Sequence, residues 1–106
     1  MSLQTKLDAF KADFEAGKPP YSVPRSVIDT MHRATEELIA SGAATRALKA
    51  GDTAPPFVLK DPDGNVVSLA GLPKRGQLEL SFYHGVWCPF CNIELQALEA
   101  VQPQFD

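Results

Sequence analysis

Two cysteines, Cys88 and Cys91, are the residues of this 106-residue sequence best suited to chemistry, and two residues separate them. Within one turn of helix, two sulfurs at this spacing are close enough to form a small disulfide or to share a metal ion. In a reducing cytosol such a pair is more often catalytic or metal-binding than structural, because thiol pools keep ordinary disulfides open. A buried, inert pair is the alternative that the spacing leaves open.

A zinc site at this pair would require further ligands, and His84 is the only nearby residue of a suitable type. The sequence has no second pair of cysteines that would complete a four-ligand site. We therefore expect no metal and no organic cofactor, and we favour redox chemistry of the sulfurs themselves.

A helix that begins at the cysteine pair would activate one of the thiols. Its terminal amides stabilise a nearby anion by about 0.3–1 kcal/mol, and by roughly 2 kcal/mol in a sheltered site. Because one pKa unit corresponds to about 1.4 kcal/mol, this lowers a thiol pKa from about 8.5 to around 7–8. A more acidic thiol needs a cation as well, and the candidates are His84, Lys74 and Arg75.

The elements around the pair are predicted from residue patterns. Asp-Gly and Gly-Asn steps within residues 61–65 predict the turn of a β-hairpin. The alternation of apolar and polar residues over Leu78 to Tyr83 predicts a third strand. Pro89 suits the first position of a helix, and apolar residues continue at helical spacing from Leu95 to Val101.

The first 49 residues predict a helical leader, which we separate from a second unit at residues 50–106. Apolar residues recur at helical spacing from Leu3 to Phe14, with Ser2 as a cap. A second apolar stripe runs from Val27 to Ile39.

Composition and charge exclude several classes of partner. The chain is 44 % hydrophobic and 22 % charged with a net charge of −3, which is ordinary for a globular protein. Residues 51–106 carry three basic and seven acidic residues, so a nucleic-acid partner is excluded. No apolar run approaches the roughly 18 residues of a membrane span, and a secretory signal is lacking. We expect a cytoplasmic location and no membrane partner.

Several segments resemble a known family. "WCPFC" at Trp87 to Cys91 resembles the active-site turn of thioredoxin-fold proteins. "GDTAPPFVL", "DPDGNVVSL" and "FYHGVWCPFCNIEL" resemble the peroxiredoxins, the alkyl hydroperoxide reductase and thiol-specific antioxidant group. The resemblance covers about residues 50–106. It implies an α/β protein in which N-terminal helices precede the first half of a thioredoxin-like fold, made of a hairpin, a strand and the active-site helix.

The resemblance gives two alternative roles to the cysteines. On the peroxiredoxin pattern Cys91 is the peroxidatic residue, Cys88 replaces a threonine, His84 replaces a proline, and Glu94 takes the place of a glutamate. On the thioredoxin pattern Cys88 attacks and Cys91 resolves. We expect Cys88 to be the more exposed, and we favour Cys91 for peroxide and Cys88 for thiol exchange. Both patterns end in the same disulfide.

Four neighbours are predicted to support the pair. Trp87 and Phe90 are interpreted as apolar cover for the turn, and Pro89 as the residue that shapes the start of the helix. Glu94 is either a first-turn acid favoured by the helix dipole or a proton-transfer group.

The resemblance implies an antioxidant enzyme that reduces hydroperoxides and is regenerated by an external dithiol such as a thioredoxin-like protein. The alternatives are a general thiol–disulfide oxidoreductase and a catalytically silent fragment that acts only as an oligomerising module. The family also has further strands, a cis-proline loop and an active-site arginine, so we expect the chain to be part of a longer fold. The unpaired edge of the strand Leu78 to Tyr83 predicts a homodimer.

Overall fold

A computed structural model describes residues 1–72 and 76–105 of the chain. Within these residues, no helix combines the length and apolar character needed to cross a membrane. The main elements, in chain order, are helices α1 (Leu3–Glu15), α2 (Arg25–Ala40) and α3 (Ala43–Arg46), strands β1 (Val58–Lys60) and β2 (Val66–Ser68), and helix α4 (Pro89–Val101). Two 3₁₀ turns, at Leu69–Gly71 and Gln102–Gln104, follow β2 and α4.

The two predicted leader helices are confirmed. The Ser2 side chain caps α1 by accepting a hydrogen bond from the backbone N–H of Thr5 at 3.1 Å. Helix α2 starts after Pro24, whose ring cannot donate a helical hydrogen bond. Between the helices, Nε2 of His32 lies 2.7 Å from a carboxylate oxygen of Glu15. This contact also lowers the pKa of Glu15, and it ties α2 to the end of α1.

An aromatic cluster packs α1 against α4. The ring of Phe10 meets the ring of Phe90 edge-on, with centroids 4.9 Å apart, and meets Tyr21 edge-on at 5.6 Å. Phe14 lies beside both Phe10 and Tyr21. Such edge-to-face pairs are worth about 0.5–1.5 kcal/mol beyond the area that they bury. The leader therefore contacts the helix that carries the cysteines, while the boundary at residue 50 stays a prediction.

The predicted hairpin is confirmed as an antiparallel pair of strands in which Val58 faces Ser68 and Lys60 faces Val66. The Asp61 carboxylate closes the turn by accepting hydrogen bonds from the backbone N–H groups of Asp63 and Asn65. Helices combined with a small antiparallel sheet confirm the predicted α/β class and fit a partial thioredoxin-like fold.

The third strand, predicted over Leu78 to Tyr83, is not formed. Within the described ranges the sheet contains only β1 and β2, so this segment has no neighbour for its backbone groups. Alternation alone does not make a strand, because the ladder hydrogen bonds require a partner. Lys74 and Arg75, the other candidate cations, lie outside the described residues.

The aromatic cluster generates the first prediction. We expect Phe10→Ala to lower the free energy of unfolding by about 2 kcal/mol, because the half-buried ring holds α1 against α4. Urea titration followed by circular dichroism measures it. Ile39→Ala is the control, since Ile39 is 72 % exposed on α2, and we expect a change within about 0.5 kcal/mol. Equal losses in the two variants would contradict this packing.

Candidate active site

Cys88 is the N-cap of α4, and its sulfur is part of the cap. Its backbone is extended, with φ −93° and ψ 107°, and its Sγ accepts a hydrogen bond from the backbone N–H of Cys91 at 3.4 Å. Pro89 occupies the first helical position, where its missing N–H costs nothing. The sequence prediction of a helix that opens at Pro89 is confirmed, and the backbone N–H of Cys91 in its first turn is directed at the Cys88 sulfur.

Asn92 fastens the loop that leads into the helix. Its side-chain Nδ2 donates to the backbone carbonyl of Val86 at 2.8 Å. The hydroxyl of Tyr83 donates to the side-chain carbonyl oxygen of Asn92 at 3.5 Å. Sequence reasoning missed this residue, although an amide side chain in the first turn of a helix is a recognisable anchor for the preceding loop.

His84 and Trp87 form a stacked pair beside the cysteines. The two rings are nearly parallel, at 7°, with their centroids 5.8 Å apart. Gly85 allows this approach, because a Cβ at that position would lie 2.5 Å from Nε1 of Trp87. Its φ of +152° is also unfavourable for other residues. The stacking places the imidazole so that one of its nitrogens and the two sulfurs lie within 4.8 Å of one another.

The two thiols differ in acidity. Hydrogen bonding from the Cys91 thiol, and then from the Cys91 backbone N–H, lowers the pKa of Cys88 to about 7. Burial opposes this shift, and the His84 side chain contributes to it. The pKa of Cys91 is raised, chiefly by its hydrogen bond to Cys88, with burial and the negative charges of Cys88 and Glu94 adding to the shift. A hydrogen bond from the His84 backbone opposes it. Cys88 therefore ionises before Cys91, and about half of it is thiolate at pH 7.

Both sulfurs are buried but face a cavity of about 670 Å³. Cys88 is 6 % exposed and Cys91 is 9 % exposed, so the expectation that Cys88 is the more exposed is wrong. Residues of the leader form the opposite side of the cavity. The cavity is lined by Leu7, Phe10, Phe14, Tyr21, Met31, His84, Trp87, Cys88, Pro89, Phe90, Cys91 and Glu94.

All seven residues singled out from the sequence therefore meet around one cavity, although their roles remain predictions. Sequence reasoning missed the five leader residues that form the opposite wall. Phe10 and Phe14 belong to the apolar stripe of α1, and Met31 to that of α2. The stripes predicted that these residues pack against something, and the structure identifies the active-site helix as their neighbour.

Comparison with known proteins identifies the family. Residues 50–106 match the sequence model of the AhpC/TSA family. The chain belongs to the AhpC/TSA family. No curated protein and no solved structure matches it. AhpC/TSA membership confirms the resemblance described above and indicates thiol-dependent redox chemistry, for which the family generally uses peroxide substrates and thioredoxin-like reductants.

The observed geometry of the two cysteines suits the thiol-dependent redox chemistry of the AhpC/TSA family. A thiolate is the nucleophilic form of cysteine, and Cys88 is the thiol that ionises first. Cys91 lies one helical turn away with its proton retained, which places a second sulfur within reach of any oxidised form of Cys88.

The acidity of Cys88 generates the second prediction. We expect its rate of alkylation by iodoacetamide to rise with pH to a plateau, with a midpoint near pH 7, because only the thiolate reacts. Below the midpoint the rate falls about tenfold per pH unit. Peptide mass spectrometry assigns the modified cysteine. His84→Ala should move the midpoint upward, since the His84 side chain favours the thiolate.

The other histidine supplies a control for this titration. His32→Ala should leave the midpoint unchanged, because His32 contacts Glu15 instead of the cysteines. A wild-type midpoint near 8.5, the value of an unperturbed thiol, would contradict the activation of Cys88.

Proposed function

We propose that this AhpC/TSA protein reduces hydroperoxides through a Cys88–Cys91 disulfide, with Cys88 as the attacking thiolate. The observation that carries the proposal is the capped sulfur of Cys88, whose pKa is lowered to about 7 by hydrogen bonds from Cys91. This order of attack follows the thioredoxin pattern. It differs from the peroxiredoxin pattern and from the preference drawn from the sequence, in both of which Cys91 reacts first with peroxide.

The proposed reaction has two steps within the protein. The Cys88 thiolate attacks the outer oxygen of the hydroperoxide, the O–O bond breaks, and an alkoxide leaves as the alcohol after taking a proton. Cys88 is then a sulfenic acid. The Cys91 sulfur attacks the Cys88 sulfur, the S–O bond breaks, and water leaves as the disulfide forms. The two thiols supply two electrons, which reduce the peroxide.

The burial of the sulfurs favours a small substrate. A small hydroperoxide fits into the cavity of about 670 Å³ that leads to the sulfurs. A protein disulfide is attached to a whole protein, which must come close enough to bring one of its sulfurs to the attacking sulfur. With Cys88 only 6 % exposed, a bulky disulfide is hindered until the leader moves. General thiol–disulfide exchange is therefore the second candidate, supported by the same capped thiolate.

Catalytic turnover requires reduction of the disulfide, and we propose an external dithiol protein of the thioredoxin-like kind as the reductant. Its thiolate would attack one sulfur of the pair, form a mixed disulfide, and leave with both of its own sulfurs oxidised. A reducing compartment is needed to supply such a partner, so we place the proposed activity in the cytoplasm.

We also propose a homodimer, because the segment that precedes the active site exposes apolar side chains. Leu78, Leu80 and Phe82 are 56 %, 60 % and 86 % exposed. Within the described part of the chain this segment has no strand partner, although its alternation suits one. Pairing with a second copy would satisfy the backbone and cover these side chains.

The roles of the cysteines generate the third prediction. In a peroxide-consumption assay with dithiothreitol as reductant, Cys88→Ser should lose more than about 10³-fold of the rate, because the nucleophile is gone. Without reductant, Cys91→Ser should consume one equivalent of peroxide and then stop as a sulfenic acid, which dimedone traps. If Cys91→Ser abolished the first equivalent and Cys88→Ser kept it, Cys91 would be the attacking residue instead.

The dimer proposal generates the fourth prediction. Sedimentation equilibrium should show a dimer for the wild type at micromolar concentration. Phe82→Asp should shift it to a monomer, since the substitution puts a charge where an apolar ring is covered. Ser81→Asp adds the same charge at the neighbouring polar position and should remain dimeric. A monomeric wild type would refute the proposal.

A further inference from the structure

We infer that the reduced protein binds Zn²⁺ through His84, Cys88 and Cys91. A ring nitrogen of His84 and the two sulfurs all lie within 4.8 Å of one another. Thiolate sulfur and imidazole nitrogen are the donors that zinc prefers, and three protein ligands with one open position make a common type of zinc site. The sequence alone offered only one ligand near the pair, whereas the structure places that ligand beside both sulfurs.

The separations fit a tetrahedral ion after small movements. With Zn–S bonds of about 2.3 Å and a Zn–N bond of about 2.0 Å, tetrahedral donors lie about 3.5–3.8 Å apart. Donors within 4.8 Å of one another reach these separations by side-chain adjustments of about 1 Å. The two sulfurs are on a single helical turn, so no rearrangement of the backbone is required.

The surroundings hold the three donors in place. Cys88 is fixed as the cap of α4 and Cys91 as a residue of its first turn. The exposed His84 ring is oriented by stacking on Trp87, with one of its nitrogens within 4.8 Å of both sulfurs. All three donor residues line the cavity, and the acidic side chain of Glu94 lines it with them.

Zinc binding and disulfide formation exclude each other, because both use the same two sulfurs. This consequence rests on the proposed function, in which a hydroperoxide is the oxidant. Attack by the Cys88 thiolate yields a sulfenic acid and an alkoxide, and attack by the Cys91 thiolate then expels hydroxide as the S–S bond forms. Both leaving anions take protons from water, and Zn²⁺ is released. The bound ion therefore marks the reduced state.

Co²⁺ and Zn²⁺ titrations of the whole chain test the site. Reduced wild-type protein should bind one Co²⁺ per chain, with sulfur-to-cobalt charge-transfer bands and the visible bands of a tetrahedral ion, and Zn²⁺ should displace it. Cys88→Ser and Cys91→Ser should each weaken binding by more than about 100-fold. Removing a residue that only hydrogen-bonds to a metal ligand already costs about 10–100-fold in affinity, and these variants remove a ligand itself. His84→Ala should weaken it at least about 10-fold.

Two controls keep the result independent of folding and of peroxidase activity. His32→Ala removes the other histidine of the chain and should bind as the wild type does. Wild-type protein oxidised beforehand to the disulfide, with the loss of two hydrogens confirmed by mass, should not bind. Absent binding by the reduced wild type, undiminished binding by His84→Ala, or equal binding by the oxidised form would each overturn the site. A peroxidase-inactive protein that binds Co²⁺ as described would refute only the proposed function.

Discussion

The hydrogen bonds from Cys91 to the sulfur of Cys88 are the interaction on which the rest of the site depends. A serine or threonine at a helix N-cap commonly accepts such a bond with its hydroxyl oxygen. Here a sulfur takes that place, so the group that completes the helix is also the group that ionises. A substitution of Cys88 would therefore change both the cap of α4 and the reactive thiol.

Burial and hydrogen bonding act in opposite directions on the Cys88 sulfur. Burial by itself disfavours a thiolate at either cysteine. At Cys88 the donors from Cys91 and His84 outweigh that cost, whereas at Cys91 the hydrogen bond to Cys88, followed by the nearby negative charges, adds to it. The pair is therefore asymmetric although its members have the same side chain and nearly equal exposure. This asymmetry is what a two-step thiol reaction requires of its residues.

The sequence predicted the local features well because their causes are local. Ser2 as a cap, Pro89 at the first helical position and the turn closed by Asp61 each depend on residues within four positions. The strand over 78–83 failed because pairing needs a distant partner that no alternation pattern supplies. The surroundings of Cys88 were missed for a related reason, since five residues of the cavity lining come from a leader some 60–80 positions away in the chain. An apolar stripe shows that a face of a helix packs, but it does not show which distant segment that face contacts.

Trp87 is the only tryptophan of the chain, and its indole ring lies against His84 and the wall of the cavity. The protein consequently carries a single indole fluorophore, beside its reactive sulfurs. Emission from this ring follows the charge, position and coordination of the imidazole on which it stacks. Events at the sulfur pair are thus observable optically in the unlabelled protein, with no background from other indoles.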